Sequence, residues 1–183
     1  MKLDPETYAA VARRADCLAT RAQMDAALDR MAGEIAARLA ERDPLVLCVV
    51  SGGIVAAGQL LPRLTFPLRL EYVHASRYRG ATRGGELVWH HRPSDAVRGE
   101  QVLIVDDILD EGVTLDAVAQ ACREDGAAGV HTAVLVEKIR PHRCEADFVG
   151  VRLPDRFLFG YGLDYRGYFR NANGVYAVSD ADL

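Results

Sequence analysis

Residues Val102 to Val118 read VLIVDDILDEGVTLDAV: an apolar run, two adjacent acids at Asp106 and Asp107, a third at Asp110, then Gly112 and Thr114 where a helix opens. Carboxylates crowded at the end of a buried strand repel one another, so folding alone gains nothing from them and a bound ligand is expected. Gly112 lets backbone approach that ligand closely, and the first turn of a helix offers free N–H groups and a positive dipole end, which suits a phosphate. Thr114 adds a hydroxyl donor. Asp106 and Asp107 are pure acceptors, suited to paired sugar hydroxyls or to a divalent cation.

The elements that must hold this turn are visible around it. Leu45 to Val50, LVLCVV, is a continuous apolar run of the kind buried in a parallel sheet. Ser51-Gly52-Gly53 follows, then a short helix up to Pro62. Further strands are expected at Leu68 to Val73, Glu86 to His90, Val102 to Val105 and Val130 to Val136, with a helix from Val113 to Arg123 closing at Gly126. This alternation predicts an α/β fold: an open, mainly parallel twisted sheet flanked by helices. Ligands sit at the carboxyl ends of such strands, where the Asp106 and Ser51 turns both fall. Ahead of the sheet, Thr20 and Gln23 form a capping box, and Met24, Leu28, Met31, Ile35 and Leu39 recur as one apolar helical stripe. Asp4 and Pro5 begin an earlier helix as cap and first position.

A length of 183 residues fits one domain. Net charge is −4 and the Lys and Arg residues are scattered, which argues against a nucleic-acid partner. The N-terminal residues lack the basic-then-apolar layout of a signal peptide, and no apolar run is long enough to span a bilayer. No membrane partner and a cytoplasmic location are therefore expected. Cys17, Cys48, Cys122 and Cys144 form no Cys-x-x-Cys pair and are expected to be reduced, mostly buried thiols. His90 and His91 would point to opposite faces of a strand and are expected to be surface residues.

The acid-rich turn has two other readings, a solvated surface turn and the receiver domain of response regulators. In receiver domains the acid pair lies near the start and the next strand ends in a phosphoryl-accepting Asp. Here the next strand ends in Glu137-Lys138.

The pattern of apolar strand, two acids, two apolar residues, Asp, any residue, Gly, any residue, Thr resembles the phosphoribosyl pyrophosphate signature of type I phosphoribosyltransferases. The resemblance implies that Asp106 and Asp107 hold the ribose hydroxyls, while Asp110, Glu111, Gly112, Val113 and Thr114 wrap the 5-phosphate. Glu111 stands where the signature usually has Thr or Ser. Repelled by phosphate, its side chain is expected to point away and leave binding to backbone N–H groups and Thr114.

A second stretch, ADFVGVRLPDRFLFGYGLDYRGYFRN from Ala146 to Asn171, is similar to the hypoxanthine-guanine phosphoribosyltransferases over nearly its whole length. It implies that Lys138 donates to the 6-oxo group of a purine, Phe157 stacks on the ring, and the backbone of Leu158 and Asp164 reads the other edge. Asp164, with Asp106 and Asp107, would lie at a Mg2+ site, and Arg170 would reach the pyrophosphate. Ser51 and Gly52 match the family's pyrophosphate loop, which often contains a non-proline cis bond. Arg77-Tyr78 through Glu86 match its mobile loop. The resemblance further implies one phosphoribosyltransferase domain, with a core over about residues 20–150 and a small hood from the N-terminal helix and about 151–183.

The implied reaction carries the 5-phosphoribosyl group of phosphoribosyl pyrophosphate to N9 of hypoxanthine or guanine, with Asp110 as general base at N7, Mg2+ as cofactor and a homodimer or homotetramer as the assembly. The Lys138 ammonium supports the base class independently, since it can donate to a 6-oxo group but offers no acceptor to a 6-amino group. The competing reading is a noncatalytic sensor of a nucleotide or alarmone on the same fold. Ser51 and Glu111 favour it; Asp110, Lys138, Phe157 and Arg170 together weigh against it.

Overall fold

The protein is described here by a computed structural model covering residues 2–77, 87–93 and 95–183. The chain opens with α1 (Pro5–Arg14), capped by the Asp4 carboxylate, then β1 (Asp16–Thr20) and α2 (Arg21–Leu39). The capping box at Thr20 is present in both directions, so the turn into α2 is set by the residues on either side of it. There follow β2 (Leu45–Val50), α3 (Gly53–Leu60), β3 (Arg69–Arg77), β4 (Leu87–His91), β5 (Gln101–Leu109), α4 (Val113–Glu124), β6 (Gly129–Ile139) and β7 (Phe148–Pro154). Two short strands close the chain, β8 (Leu158–Phe159) and β9 (Gly174–Ala177).

Six strands form the main sheet in the order β4-β3-β2-β5-β6-β7, parallel throughout except for the edge strand β4. The alternation of side chains along β2 divides the core. Val46 and Cys48 join Met24, Leu28, Met31, Ile35 and Leu39 of α2 on one face, while Leu45, Leu47 and Val49 meet Leu115, Val118 and Cys122 of α4 on the other. Both faces are thus covered, which is what an apolar parallel sheet requires. A second, three-stranded sheet, β1-β9-β8, draws on both ends of the chain and packs with α1 through Val11, Phe159, Tyr165, Phe169 and Val178.

Several expectations are corrected. Strand β5 runs on to Leu109, so Asp106 and Asp107 lie within the strand rather than after it; Asp106 is in register with Val134 of β6. Strand β3 extends to Arg77, past the expected end at Val73. Of the four free thiols, Cys48 and Cys122 are buried, Cys144 is partly so and Cys17 is exposed. Burial pushes the Cys48 and Cys122 thiols up to about 11, which keeps them protonated and unreactive at neutral pH. His90 and His91 are exposed, but His90 is engaged with Ser76 and His74 rather than free in solvent. No described helix is long and apolar enough to cross a membrane.

Candidate functional site

At the carboxyl ends of β2, β3 and β5 lies a cavity of about 420 Å³. Its wall includes Ser51, Gly52, Asp106, Asp107, Asp110, Glu111, Gly112, Val113, Thr114, Asp164 and Arg170, so these sequence-selected residues meet in one place. The last turn of β5 leads through Gly112, whose φ of 83° is left-handed and favours glycine, into the first turn of α4. A side chain there would also press on Leu109, Arg143 and the Cys144 thiol. The first α4 amides at Val113, Thr114 and Leu115 precede the first helical bond, which Asp116 N–H donates to Gly112 at 2.9 Å. All three residues line the cavity, and the first amides of a helix, which lack an intrahelical acceptor, lie at its positive end. The loop from 140 to 144 buttresses this cradle: Arg143 N–H donates to the Glu111 carbonyl at 2.9 Å, and its guanidinium to Asp116 at 2.8 Å.

The turn after β2 approaches β5 because it has no side chains in the way. A Cβ at Gly52 would overlap the Asp107 carboxylate, and one at Gly53 would stand 2.9 Å from the Val105 carbonyl. The Val50–Ser51 peptide is cis. From the C-terminal region Gly162, at a φ of 111°, comes down on the Gly52 carbonyl, where a Cβ would sit at 2.6 Å. The hairpin that follows presents Arg170, which donates to the Gly162 carbonyl at 2.6 Å and to Asp164 at 2.7 Å.

Asp106 and Asp107 are 7% and 9% exposed. Burial lifts the Asp106 carboxyl well above the usual carboxylate range, and the adjacent Asp107 charge adds to the rise. Burial also raises Asp107, against the opposing hydrogen bond from Asp106 and the positive charge of Arg170. Such a pair is costly in an empty fold and is relieved by donors or positive charge. Among the described residues no three His, Cys, Asp or Glu side chains converge as a metal cage. A magnesium-like cation that arrives with substrate phosphates needs only one or two carboxylates, and this pair suits it.

A second cavity of about 300 Å³ adjoins the first, with Asp107, Ile108, Asp110 and Asp164 common to both walls. Its other walls are Lys138, Phe157, Leu158 and Leu163. Phe157 is 47% exposed, edge-on to Tyr165 at 5.8 Å, so one ring face is left for a flat ligand. Lys138, at the end of β6, donates to Asp110 at 3.1 Å and lies 3.3 Å from Asp155. Arg140 donates to the other Asp110 oxygen at 2.9 Å, lies 3.4 Å from Asp155 and 3.7 Å from Glu111. The Glu111 carboxylate thus stands beside Arg140 while its residue remains in the cavity wall.

Arg140 and Asp155 were not singled out in the sequence. Only their position two residues after Lys138 and two before Phe157 could have flagged them. Arg77 ends β3, and Tyr78 through Glu86 lie outside the described residues.

Known proteins are similar to this chain in sequence and in fold. The family model for the phosphoribosyl transferase domain matches residues 16–166. The hypoxanthine-guanine phosphoribosyltransferase of Staphylococcus epidermidis is 31% identical over 137 residues, spanning 71% of this chain and 75% of that protein. The human protein of the same name is 29% identical over 164 residues, 83% of this chain and 75% of that one. In fold, a hypoxanthine phosphoribosyltransferase from Staphylococcus aureus superposes with a TM-score of 0.87 at 22% identity, covering 94% of this chain and 96% of that one. The Trypanosoma cruzi hypoxanthine phosphoribosyltransferase, solved in complex with the product IMP, gives 0.80 at 27% identity over 90% and 94%. With the domain match over most of the chain and these relatives, the chain belongs to the phosphoribosyltransferase family, among the hypoxanthine-guanine phosphoribosyltransferases.

Proposed function

We propose that this chain transfers the 5-phosphoribosyl group from phosphoribosyl pyrophosphate to N9 of hypoxanthine or guanine, releasing pyrophosphate and the nucleoside monophosphate in purine salvage. The observation that carries the reading is the junction of the two cavities at Asp107, Ile108, Asp110 and Asp164. A ribose seated there would have its 5-phosphate at the α4 amides and Thr114, its hydroxyls at Asp106 and Asp107, and C1 facing the base pocket.

In that arrangement positive charge gathers on the ribose as the bond to pyrophosphate lengthens. Arg170 and the backbone N–H groups of the Ser51-Gly52 turn stabilise the leaving group, which gains negative charge only as the bond breaks. Mg2+ bound with the substrate would add Lewis-acid neutralisation of that charge, held by Asp106 and Asp107 with Asp164 nearby. Lys138 turns from Asp110 to the 6-oxo group of a purine stacked on Phe157, while the Leu158 and Asp164 backbone reads the opposite edge. Asp110 then has one oxygen free for the N7 proton, and Arg140 keeps the other in place. Four free cysteines fit a reducing cytoplasm, and a homodimer or homotetramer completes the proposal, to be checked by sedimentation.

The test is nucleotide formation from phosphoribosyl pyrophosphate and Mg2+ with hypoxanthine, guanine, xanthine or adenine. Hypoxanthine, guanine or both should be converted and adenine should not, because Lys138 offers its amino group no acceptor. Tight binding of phosphoribosyl pyrophosphate or a nucleotide without turnover of any base would favour a noncatalytic sensor.

A further inference from the structure

The phosphate cavity is lined by the carboxylates of Asp106, Asp107, Asp110, Glu111 and Asp164 and, among the described residues, by one guanidinium, Arg170. That guanidinium is already bonded to Asp164 at 2.7 Å. Ser51, in the turn assigned to pyrophosphate, contributes a hydroxyl but no charge. The same wall contains a further basic group, His74 of β3, together with Ser76 two residues on, and the two share a strand face. Across the sheet edge the His90 ring of β4 lies 4.4 Å from the His74 ring, tilted by 33°. His90 Nε2 is 2.8 Å from the Ser76 hydroxyl. His74, Ser76 and His90 are therefore one connected unit at the rim, bridging the antiparallel pair of strands next to the pyrophosphate turn.

We propose that His74 and Ser76 are a further contact for the pyrophosphate end of the substrate, with His90 as the residue that positions both. The inference rests on the phosphoribosyltransferase reading above. An imidazole N–H and a hydroxyl can each donate a charge-assisted hydrogen bond to an anionic phosphate oxygen. His74 lies against His90, opposite its register partner His91 of β4, and pairs with Val50 at the end of β2. Across the cavity stand Asp106, Asp107, Asp110, Glu111, Asp164 and Arg170.

The experiment uses the full chain as wild type, His74→Phe and His90→Phe, each keeping an aromatic ring at its place in the pair without the nitrogens. Calorimetric binding of magnesium pyrophosphate is measured beside the KM for phosphoribosyl pyrophosphate and for hypoxanthine. His74→Phe should weaken pyrophosphate binding and raise the phosphoribosyl pyrophosphate KM by about tenfold, the loss of one charge-assisted bond. The hypoxanthine KM should hold within about twofold, since that pocket shares none of these residues. His90→Phe should fall between wild type and His74→Phe. Unchanged pyrophosphate binding in His74→Phe overturns the inference. So does a parallel loss in both KM values with a lowered Tm, the mark of a purely structural role. Because binding is read without turnover, a wild-type chain that binds pyrophosphate through His74 yet makes no nucleotide would overturn the transferase reading and leave this contact standing.

Discussion

On the phosphate side of the site, Gly112 to Leu115 offer backbone N–H groups at the head of α4, whereas on the base side Lys138, Asp155 and Phe157 offer side chains from separate segments. The phosphate side holds two buried acids whose charge little in the fold offsets. On the base side Asp110 and Asp155 are matched by Lys138 and Arg140 in one ion network. Backbone donors survive most side-chain substitutions and suit a constant group such as phosphate. Side-chain contacts can be exchanged one at a time, and they suit the part of the substrate that must be told from its relatives. Asp110 stands in both walls and ties the two halves together.

The largest effect is expected where the halves meet. Asp110→Asn keeps the shape but removes the proton acceptor, so kcat should fall about a hundred- to ten-thousand-fold while phosphoribosyl pyrophosphate still binds; near-normal turnover would remove Asp110 from the reaction. On the base side, Phe157→Ala should raise the hypoxanthine KM by roughly tenfold through lost stacking, with the phosphoribosyl pyrophosphate KM unchanged. If both KM values rise together, the two cavities are not the separate subsites described.

On the phosphate side, Gly52→Ala sets a methyl group against the Asp107 carboxylate. Overpacking of that kind costs about 1 to 3 kcal/mol, and the phosphoribosyl pyrophosphate KM should rise about tenfold with the hypoxanthine KM held. Equal KM values in mutant and wild type would mean that the Ser51 turn has slack.

The smallest effect has the opposite sign. The folded pKa of Asp106 is raised above its ordinary value of 3.8, so the fold favours the protonated acid. Its stability contribution is whole below that value and is lost as pH rises through the folded pKa. Asp106→Asn should therefore raise the Tm of the ligand-free, cation-free protein at pH 7.5, by about 2 to 4 °C if 1 kcal/mol is relieved. The gain should vanish below the ordinary carboxylate range, and a lowered Tm at pH 7.5 would show that the acid pair supports the fold.

The same contrast explains what could be read in advance. The stretch from Asp106 to Thr114 is contiguous, and its acids, left-handed glycine and helix start are local signals. The capping box at Thr20 and the stripe from Met24 to Leu39 are local too. Arg140, Asp155 and His74 were invisible because their roles depend on partners distant in the chain: Asp110, Lys138 and His90. Strands β1 and β9 were missed for the same reason. Asp16 pairs with Ala177, and neither short segment has an apolar alternation long enough to declare itself. The extension of β5 through Asp106 and Asp107 was missed because acids ordinarily end a buried run, and here the ladder to β6 carries the strand past them.

The central claim is that both cavities serve one reaction, and the most direct measurement follows hypoxanthine, phosphoribosyl pyrophosphate, IMP and pyrophosphate together in one incubation with Mg2+. IMP and pyrophosphate should appear in equal amounts, and phosphoribosyl pyrophosphate should persist when the base is left out. Pyrophosphate release without base, or binding of both substrates with no IMP formed, would contradict the account.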